Sequence, residues 1–221
     1  MQSGTETARR RGPRSSGISP RAYEMLSEAW YFGRRARIWD HLVAASGARS
    51  GERVLDLGCG AGYFARRIAP VVGPSGVVVG IDPSPASLDY AAAHAPPNCT
   101  FYPAQAQNLP FADASFDVVV SSLTFHHIAP DRRLGAIREV LRVLRPRGRA
   151  CVADVRPPRI QMLERVISAA HGRAEMRNIF NRLRVMITET GFTTIATGSV
   201  SRLCYITAER PPDLTGASPN A

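Results

Sequence analysis

Lysine is absent from this chain of 221 residues: all 28 basic side chains are arginine, set against 18 carboxylates for a net charge of +10. A basic alphabet of one letter looks like a coding bias of the source, which weakens any inference from charge to a nucleic-acid partner. Cysteine is scarce as well. Cys59, Cys99, Cys151 and Cys204 are far apart, with no CxxC pair and no histidine at ligand spacing, so neither a disulfide scaffold nor a zinc site is expected. They are read as reduced and mostly buried, with no metal. No apolar run approaches the ~20 residues of a membrane span. The N-terminus lacks the apolar core of a signal peptide, and a soluble, cytoplasmic protein is expected. What remains is 44% hydrophobic, enough for one well-buried domain.

The positive charge is concentrated. Met1 to Ala22 carries five arginines against Glu6, and Arg132 to Arg149 carries seven against Glu139. Those two segments contribute +4 and +6, the whole excess of +10. The second includes an expected helix, Arg132 to Leu144, with an apolar stripe of Leu134, Ile137, Leu141 and Leu144 opposite Arg138, Arg142 and Arg145. A solvated helix face is the plain reading, and a patch for an anionic partner the sharper one.

Residues 1–19 are rich in Gly, Ser, Thr and Arg and are expected to be a disordered basic arm. Ser19 and Pro20 form a good N-cap and first-turn pair for a helix carrying Tyr23, Leu26, Trp30 and Tyr31. A second helix follows over Arg34 to Ser46. The pattern then alternates: strand Arg53 to Leu57, helix Gly62 to Val72, strand Val77 to Asp82, helix Pro85 to His94. Strands at Thr100 to Tyr102 and Phe116 to Ser121 come next, then the Arg132 helix and a strand at Ala150 to Asp154. Apolar strands alternating with amphipathic helices imply a doubly wound α/β fold, a mostly parallel sheet covered on both faces. One or two helices are expected within Ile160 to Thr190. Strands Thr193 to Ser199 and Arg202 to Ala208 should close the seven-stranded sheet with an antiparallel hairpin, and residues 211–221 form a frayed tail.

The segment "VLDLGCGAGYFA", Val54 to Ala65, reads as a strand turning sharply into a helix through Gly58, Gly60 and Gly62. Such a turn brings backbone N–H groups close to a ligand. A dinucleotide fingerprint needs its third glycine where this chain has Tyr63. Two residues before Gly58 lies Asp56, whose carboxylate would repel a pyrophosphate and suits an ammonium or sulfonium group. The spacing favours a cationic adenosyl compound over NAD. Asp82 ends the next strand in "VVVGIDPS", where a carboxylate can accept hydrogen bonds from both ribose hydroxyls.

The segments "VLDLGCGAG", "GIDPS", "AQNLPFADASFDVVVSSLTFHHI" and "EVLRVLRPRGR", in this order, resemble the class I S-adenosylmethionine-dependent methyltransferases. The likeness is to the small-molecule branch related to the ubiquinone and menaquinone C-methyltransferases, and it is strong from Gly51 to about Val155. It implies a Rossmann-like methyltransferase fold over residues 20–210, with lid helices at 20–46, a cofactor-binding core at 51–155 and a substrate wall plus the last hairpin at 156–210. By the same resemblance, Asp56 and the turn of Gly58, Cys59, Gly60 and Gly62 hold the methionine part of S-adenosyl-L-methionine, and Asp82 with Pro83 borders its ribose. Gln105 and Ala106 border the adenine, while Ser122 and Leu123 lie near the sulfonium. The product would be S-adenosyl-L-homocysteine. Three departures stand out: Gln105 where aspartate is usual, Ala61 where threonine is frequent, and Arg147 where the familiar turn has glycine.

Methyl transfer from a sulfonium is a one-step displacement that needs alignment and exclusion of water. A base is required only if the acceptor must lose a proton. His126 and His127 follow the fourth strand, where a histidine could take that proton; equally, one ring could cap the loop and the other pack beside the cofactor. His41, His94 and His171 fall in expected helices. Tyr23, Trp30 and Tyr31, with Phe32, are the expected lid or substrate residues. Arg159, Arg165, Arg173 and Arg177 could meet an anionic acceptor or simply line exposed helix faces. The reaction expected is methylation of O, C or N on a small, aromatic or partly apolar metabolite, a quinone-pathway intermediate among the candidates. A nucleic-acid methyltransferase would need a recognition module or an N/D-P-P-Y/F tetrapeptide, and this chain has "SSLTFHH" there. A non-catalytic cofactor-binding protein is the remaining alternative. Nothing in the sequence separates a monomer from a homodimer.

Overall fold

The computed structural model describes residues 19–155 and 173–213. The expected basic arm, His171, Arg159, Arg165 and the tail from 214 onward lie outside the described residues, as do the side chains of Tyr23, Arg173 and Arg177.

Seven strands form one sheet in the order β3-β2-β1-β4-β5-β7-β6. They are β1 (Arg53–Leu57), β2 (Val77–Asp82), β3 (Cys99–Pro103), β4 (Phe116–Ser122), β5 (Leu144–Val155), β6 (Thr193–Val200) and β7 (Leu203–Glu209). The first five run parallel, and β7 pairs antiparallel with both β5 and β6. The strand order reverses between β1 and β4. That break opens a crevice at the carboxyl ends of the strands, where ligands of such sheets bind.

The strands are apolar on both sides because both faces are covered. On one face, Val54, Val78, Val118, Val120 and Cys151 pack under α2 (Arg35–Ser46) and α3 (Tyr63–Val72), through Trp39, Leu42, Phe64 and Ile68. On the other, Leu55, Leu57, Val79, Ile81 and Val119 pack under α5 (Pro130–Val143) and α6 (Arg173–Glu189), through Ile137, Val140, Ile179 and Leu183. Helix α1 (Pro20–Trp30) begins as expected, with Ser19 Oγ accepting from the Ala22 N–H at 3.3 Å, and α4 (Pro85–His94) links β2 to β3.

Two boundaries depart from the sequence reading. Helix α5 starts at Pro130, which presets the first turn, and stops at Val143 because Leu144 is already extended. Its buried residues are Arg133, Ala136, Ile137, Val140 and Val143, so the stripe sits about one position off the expected one. Strand β5 begins six residues before Ala150: Leu144 pairs with Phe116, and the ladder resumes at Arg149 opposite Val118 after an irregularity.

Candidate active site

The glycine turn sits at the carboxyl end of β1. The Gly58 and Cys59 N–H groups both donate to the Ile81 carbonyl, at 2.8 and 2.9 Å, which binds the turn to β2. Gly58 has φ +74°, and a Cβ there would stand 2.2 Å from Thr124. Gly62 is closed off in the same way by Ala91 of α4 at 2.8 Å. Gly60 differs: at φ +50°, a Cβ on it would meet nothing within 4 Å. The outer glycines are therefore packing requirements, and the middle one leaves bare backbone facing open space.

Two carboxylates frame that backbone. Asp56 is 1% exposed, and its Oδ2 accepts the Ala65 N–H of α3 at 3.0 Å, serving a helix start whose N-cap, Gly62, offers no side chain. Burial pushes the Asp56 carboxyl up to about 7, against the Ala65 hydrogen bond, with the Asp82 charge adding to the rise. Asp82 ends β2 and accepts the Gly60 N–H on Oδ2 (3.1 Å) and the Ser84 N–H on Oδ1 (2.9 Å). Its carboxyl too is raised by burial, partly offset by those two donors. Two carboxyl groups beside open backbone, Asp56 buried and Asp82 partly buried, favour a cation, which in turn favours their ionised form. The residues present thus fit the sulfonium and ammonium charges of S-adenosylmethionine.

Pro83 is exposed beyond Asp82. Cys59 is buried, and burial together with the Asp56 charge drives its thiol far above the ordinary range, so it is packing rather than a nucleophile. Among the described residues no two cysteines are joined in a disulfide. Among the described residues no cluster of three His, Cys, Asp or Glu could hold a metal. After β3, Gln105 is exposed, with Oε1 accepting from Gln107 Nε2 at 2.5 Å. Ala106 packs against the core. Ser122 ends β4 and Leu123 follows at φ +57°, donating to the Ala153 carbonyl at 2.9 Å.

The segment after β4 holds what the sequence reading did not single out. Thr124, packed on Gly58, donates through Oγ1 to carbonyls at the end of β1 and at Ser122. A 3-10 turn over Phe125–His127 follows. The Nε–H of buried Arg133 donates to the Phe125 and Ile128 carbonyls, at 3.1 and 2.9 Å, clasping that turn from α5. His126 Nδ1 lies 2.7 Å from Oδ1 of Asp154, whose side chain is fully buried at the end of β5. Oδ2 accepts the His126 backbone N–H at 3.1 Å. The His127 ring stacks obliquely on His126, centroids 3.9 Å apart, and its pKa is lowered by burial and by its neighbour. The available signal for Asp154 was the one that marked Asp82: a carboxylate ending an apolar strand.

Helix α1 is tied to the carboxyl side of the sheet at both ends. Glu24 bridges Arg35 (3.2 Å) and Arg66 of α3 (2.8 Å). At the other end Arg202, in the β6–β7 turn, lies over the Trp30 ring at 4.6 Å and near Phe32. Trp30 is 60% exposed, whereas Tyr31, expected alongside it in the lid, is 7% exposed and packs edge-on against Trp39. The Arg132 to Arg149 segment is dispersed. Arg142 pairs with Glu139 and Asp113, Arg145 with Asp117, and Arg149 with Glu52, while Arg133 is buried. These pairings place carboxylates beside Arg142, Arg145 and Arg149.

Comparison with known proteins bears on the family and the fold. Residues 54–148 match the family model described as a methyltransferase domain. The ubiquinone/menaquinone biosynthesis C-methyltransferases UbiE of Ectopseudomonas mendocina and Pseudomonas paraeruginosa are 33% and 34% identical over 153 residues, 65% and 66% of this chain. The matches span 57% and 59% of those relatives' lengths. A SAM-dependent methyltransferase from Aquifex aeolicus shares the fold, with a TM-score of 0.63 at 20% identity over 87% of this chain and 99% of its own. An arsenic(III) S-adenosylmethionine methyltransferase from Chlamydomonas reinhardtii is 26% identical, with a TM-score of 0.55, over 73% of this chain and 64% of its own.

Proposed function

This chain belongs to the class I S-adenosylmethionine-dependent methyltransferases, related to the UbiE C-methyltransferases, and on that premise we propose that it transfers a methyl group from S-adenosylmethionine to a small, aromatic or partly apolar acceptor. The observation that carries the proposal is the open backbone at Gly60 framed by the carboxylates of Asp56 and Asp82.

When bound, S-adenosylmethionine supplies an activated methyl group on a positively charged sulfur. The chain's residues do the rest. Asp56 and the Gly58 to Gly62 turn would receive the methionine part, and Asp82 would accept from the ribose hydroxyls. Gln105 and Ala106 border the adenine, and Ser122 and Leu123 flank the reacting end. Helix α1, held by Glu24 and by Arg202, covers the crevice and excludes water, which an SN2-type transfer requires. A quinone-pathway intermediate is the favoured acceptor within this class, because the UbiE relatives are C-methyltransferases of quinone biosynthesis. His126 and His127 stand beside the reacting end, ready for an acceptor that must shed a proton.

The test is incubation with methyl-labelled S-adenosylmethionine and a panel of hydroquinones, phenols and aromatic amines, following labelled product and S-adenosylhomocysteine together. Stoichiometric appearance of both is expected. Binding of the cofactor with no labelled product from any acceptor would support a cofactor-binding protein without turnover instead.

A further inference from the structure

Helix α1 carries its apolar side outward. At about 100° per residue, Met25, Leu26, Ala29 and Trp30 fall within one arc of about 140°, and all four are exposed, Met25 by 68%, Leu26 by 59% and Trp30 by 60%. The side that meets the protein holds Glu24, in ion pairs with Arg35 and Arg66, and buried Tyr31. A surface helix ordinarily turns its apolar stripe to the core, so α1 is inverted. Phe32, two residues beyond Trp30, is 77% exposed, and Arg202 lies over both rings. Among the described residues seven large apolar side chains are exposed, and four of them lie between Met25 and Phe32. Such clustering marks an interaction surface.

The rim of this surface is basic. Arg21 in the first turn of α1, Arg34 after Phe32, and Arg202 are exposed, with Glu28 as the exposed carboxylate of the helix. The sequence leading into α1 adds Arg9, Arg10, Arg11 and Arg14 against Glu6. A second copy docked here about a twofold axis would set these cations against their own images, whereas an anionic surface neutralises them. Aliphatic Met25 and Leu26 beside Trp30 and an arginine are the composition of a helix lying at a lipid headgroup boundary. The 11 residues of α1 extend about 16 Å, too short to cross a hydrocarbon core of about 30 Å. No helix among the described residues is long and apolar enough to cross a membrane, so the contact belongs at the bilayer surface.

We propose that the outer face of α1, with Phe32 and Arg202, docks on an anionic lipid bilayer. Its apolar side chains enter the headgroup boundary, and its arginines pair with lipid phosphates. The inference goes beyond methyl transfer and does not depend on it.

The test uses the full chain with vesicles of phosphatidylcholine alone or mixed in equal parts with phosphatidylglycerol. The two tryptophans are Trp30 and Trp39, and Trp39 is 3% exposed, so a change in emission reports Trp30. The mixed vesicles should carry the protein down on sedimentation and shift its emission to the blue, and brominated acyl chains should quench it. Phosphatidylcholine alone should bind more weakly. Raising salt from about 0.1 M to about 1 M should weaken binding to the mixed vesicles, because the reach of charge shortens from about 10 Å to about 3 Å. The double variant Leu26→Ser, Phe32→Ser should bind at least ~10-fold more weakly, with an unchanged thermal melt because both side chains are exposed. Val185→Ser, at an exposed apolar residue of α6 on the other face of the sheet, should bind as the wild type does. The proposal is overturned by no binding to the mixed vesicles, by equal binding of the double variant, or by a lipid-free blue shift that grows with protein concentration, which would make this face a contact between two copies. Calorimetry with S-adenosylmethionine follows the cofactor reading separately, and none of these outcomes alters it.

Discussion

At the scale of single residues, Asp56 is the most unusual group. A carboxyl raised from about 4 to about 7 by burial binds a proton in the folded state that the unfolded chain releases. Stability of the cofactor-free protein should therefore fall as pH rises from about 4 to about 7, and the difference corresponds to about 4 kcal/mol at full ionisation. Denaturant melts across that range should show Asp56→Asn flattening the decline. A parallel decline in both proteins would place its cause elsewhere. Arg147 is the second such residue. It holds φ +63° in the bend between the two paired parts of β5, where an L side chain costs roughly 1–2 kcal/mol. Its side chain is exposed, so Arg147→Gly should raise stability by about 0.5–1 kcal/mol in thermal or urea melts, after the entropy of the added glycine is counted. The departure from glycine seen in the sequence is thus a conformational burden that the fold carries.

At the scale of elements, α1 shows how few contacts can hold a helix. Glu24 is the residue through which α1 grips both α2 and α3. Arg35, besides taking Glu24, lies 3.6 Å above the Tyr63 ring and is itself 5% exposed. Removing the carboxylate would leave a largely buried guanidinium with its ionic partner gone, which costs about 1–3 kcal/mol. Glu24→Ala should increase amide exchange across residues 20–30 and leave exchange in β1 and β4 unchanged. Uniform exchange in both regions would mean that α1 is held by other means. The helix and its N-cap could be read from Ser19 and Pro20, whose signal is local. Its docking could not, because Glu24 meets partners 11 and 42 residues away. The same holds for β5. Its apolar run was plain, but the early pairing of Leu144 with Phe116 depends on a partner strand 28 residues back.

At the scale of the whole molecule, alternating strands and helices implied the two-faced parallel sheet and the closing hairpin, because a βαβ pattern has few other solutions. The strand order, and with it the crevice between β1 and β4, is not contained in that alternation. The proposed cofactor side of the site is local in the sequence because its residues lie on two consecutive strand ends, Asp56 to Gly62 and Asp82. The proposed acceptor side is only half local. The histidine pair is conspicuous, but Asp154 acquires meaning only when β5 is laid beside β4. Charge behaved differently again. The excess of arginine between 132 and 149 looked like a patch along the chain, yet Asp113, Asp117 and Glu52 come to it from elsewhere in the fold.

The central claim is that Asp56, the glycine turn and Asp82 form the seat of S-adenosylmethionine. It is tested most directly by thermal melts of the wild type and Asp82→Ala, with and without S-adenosylmethionine or S-adenosylhomocysteine. At ~100 times its dissociation constant a ligand adds about 2.7 kcal/mol of stability, an increase in Tm of roughly 5–10 °C for a chain of this size. The account predicts that increase in the wild type with both ligands and its loss in Asp82→Ala. No increase in the wild type, or an equal one in the variant, would contradict it.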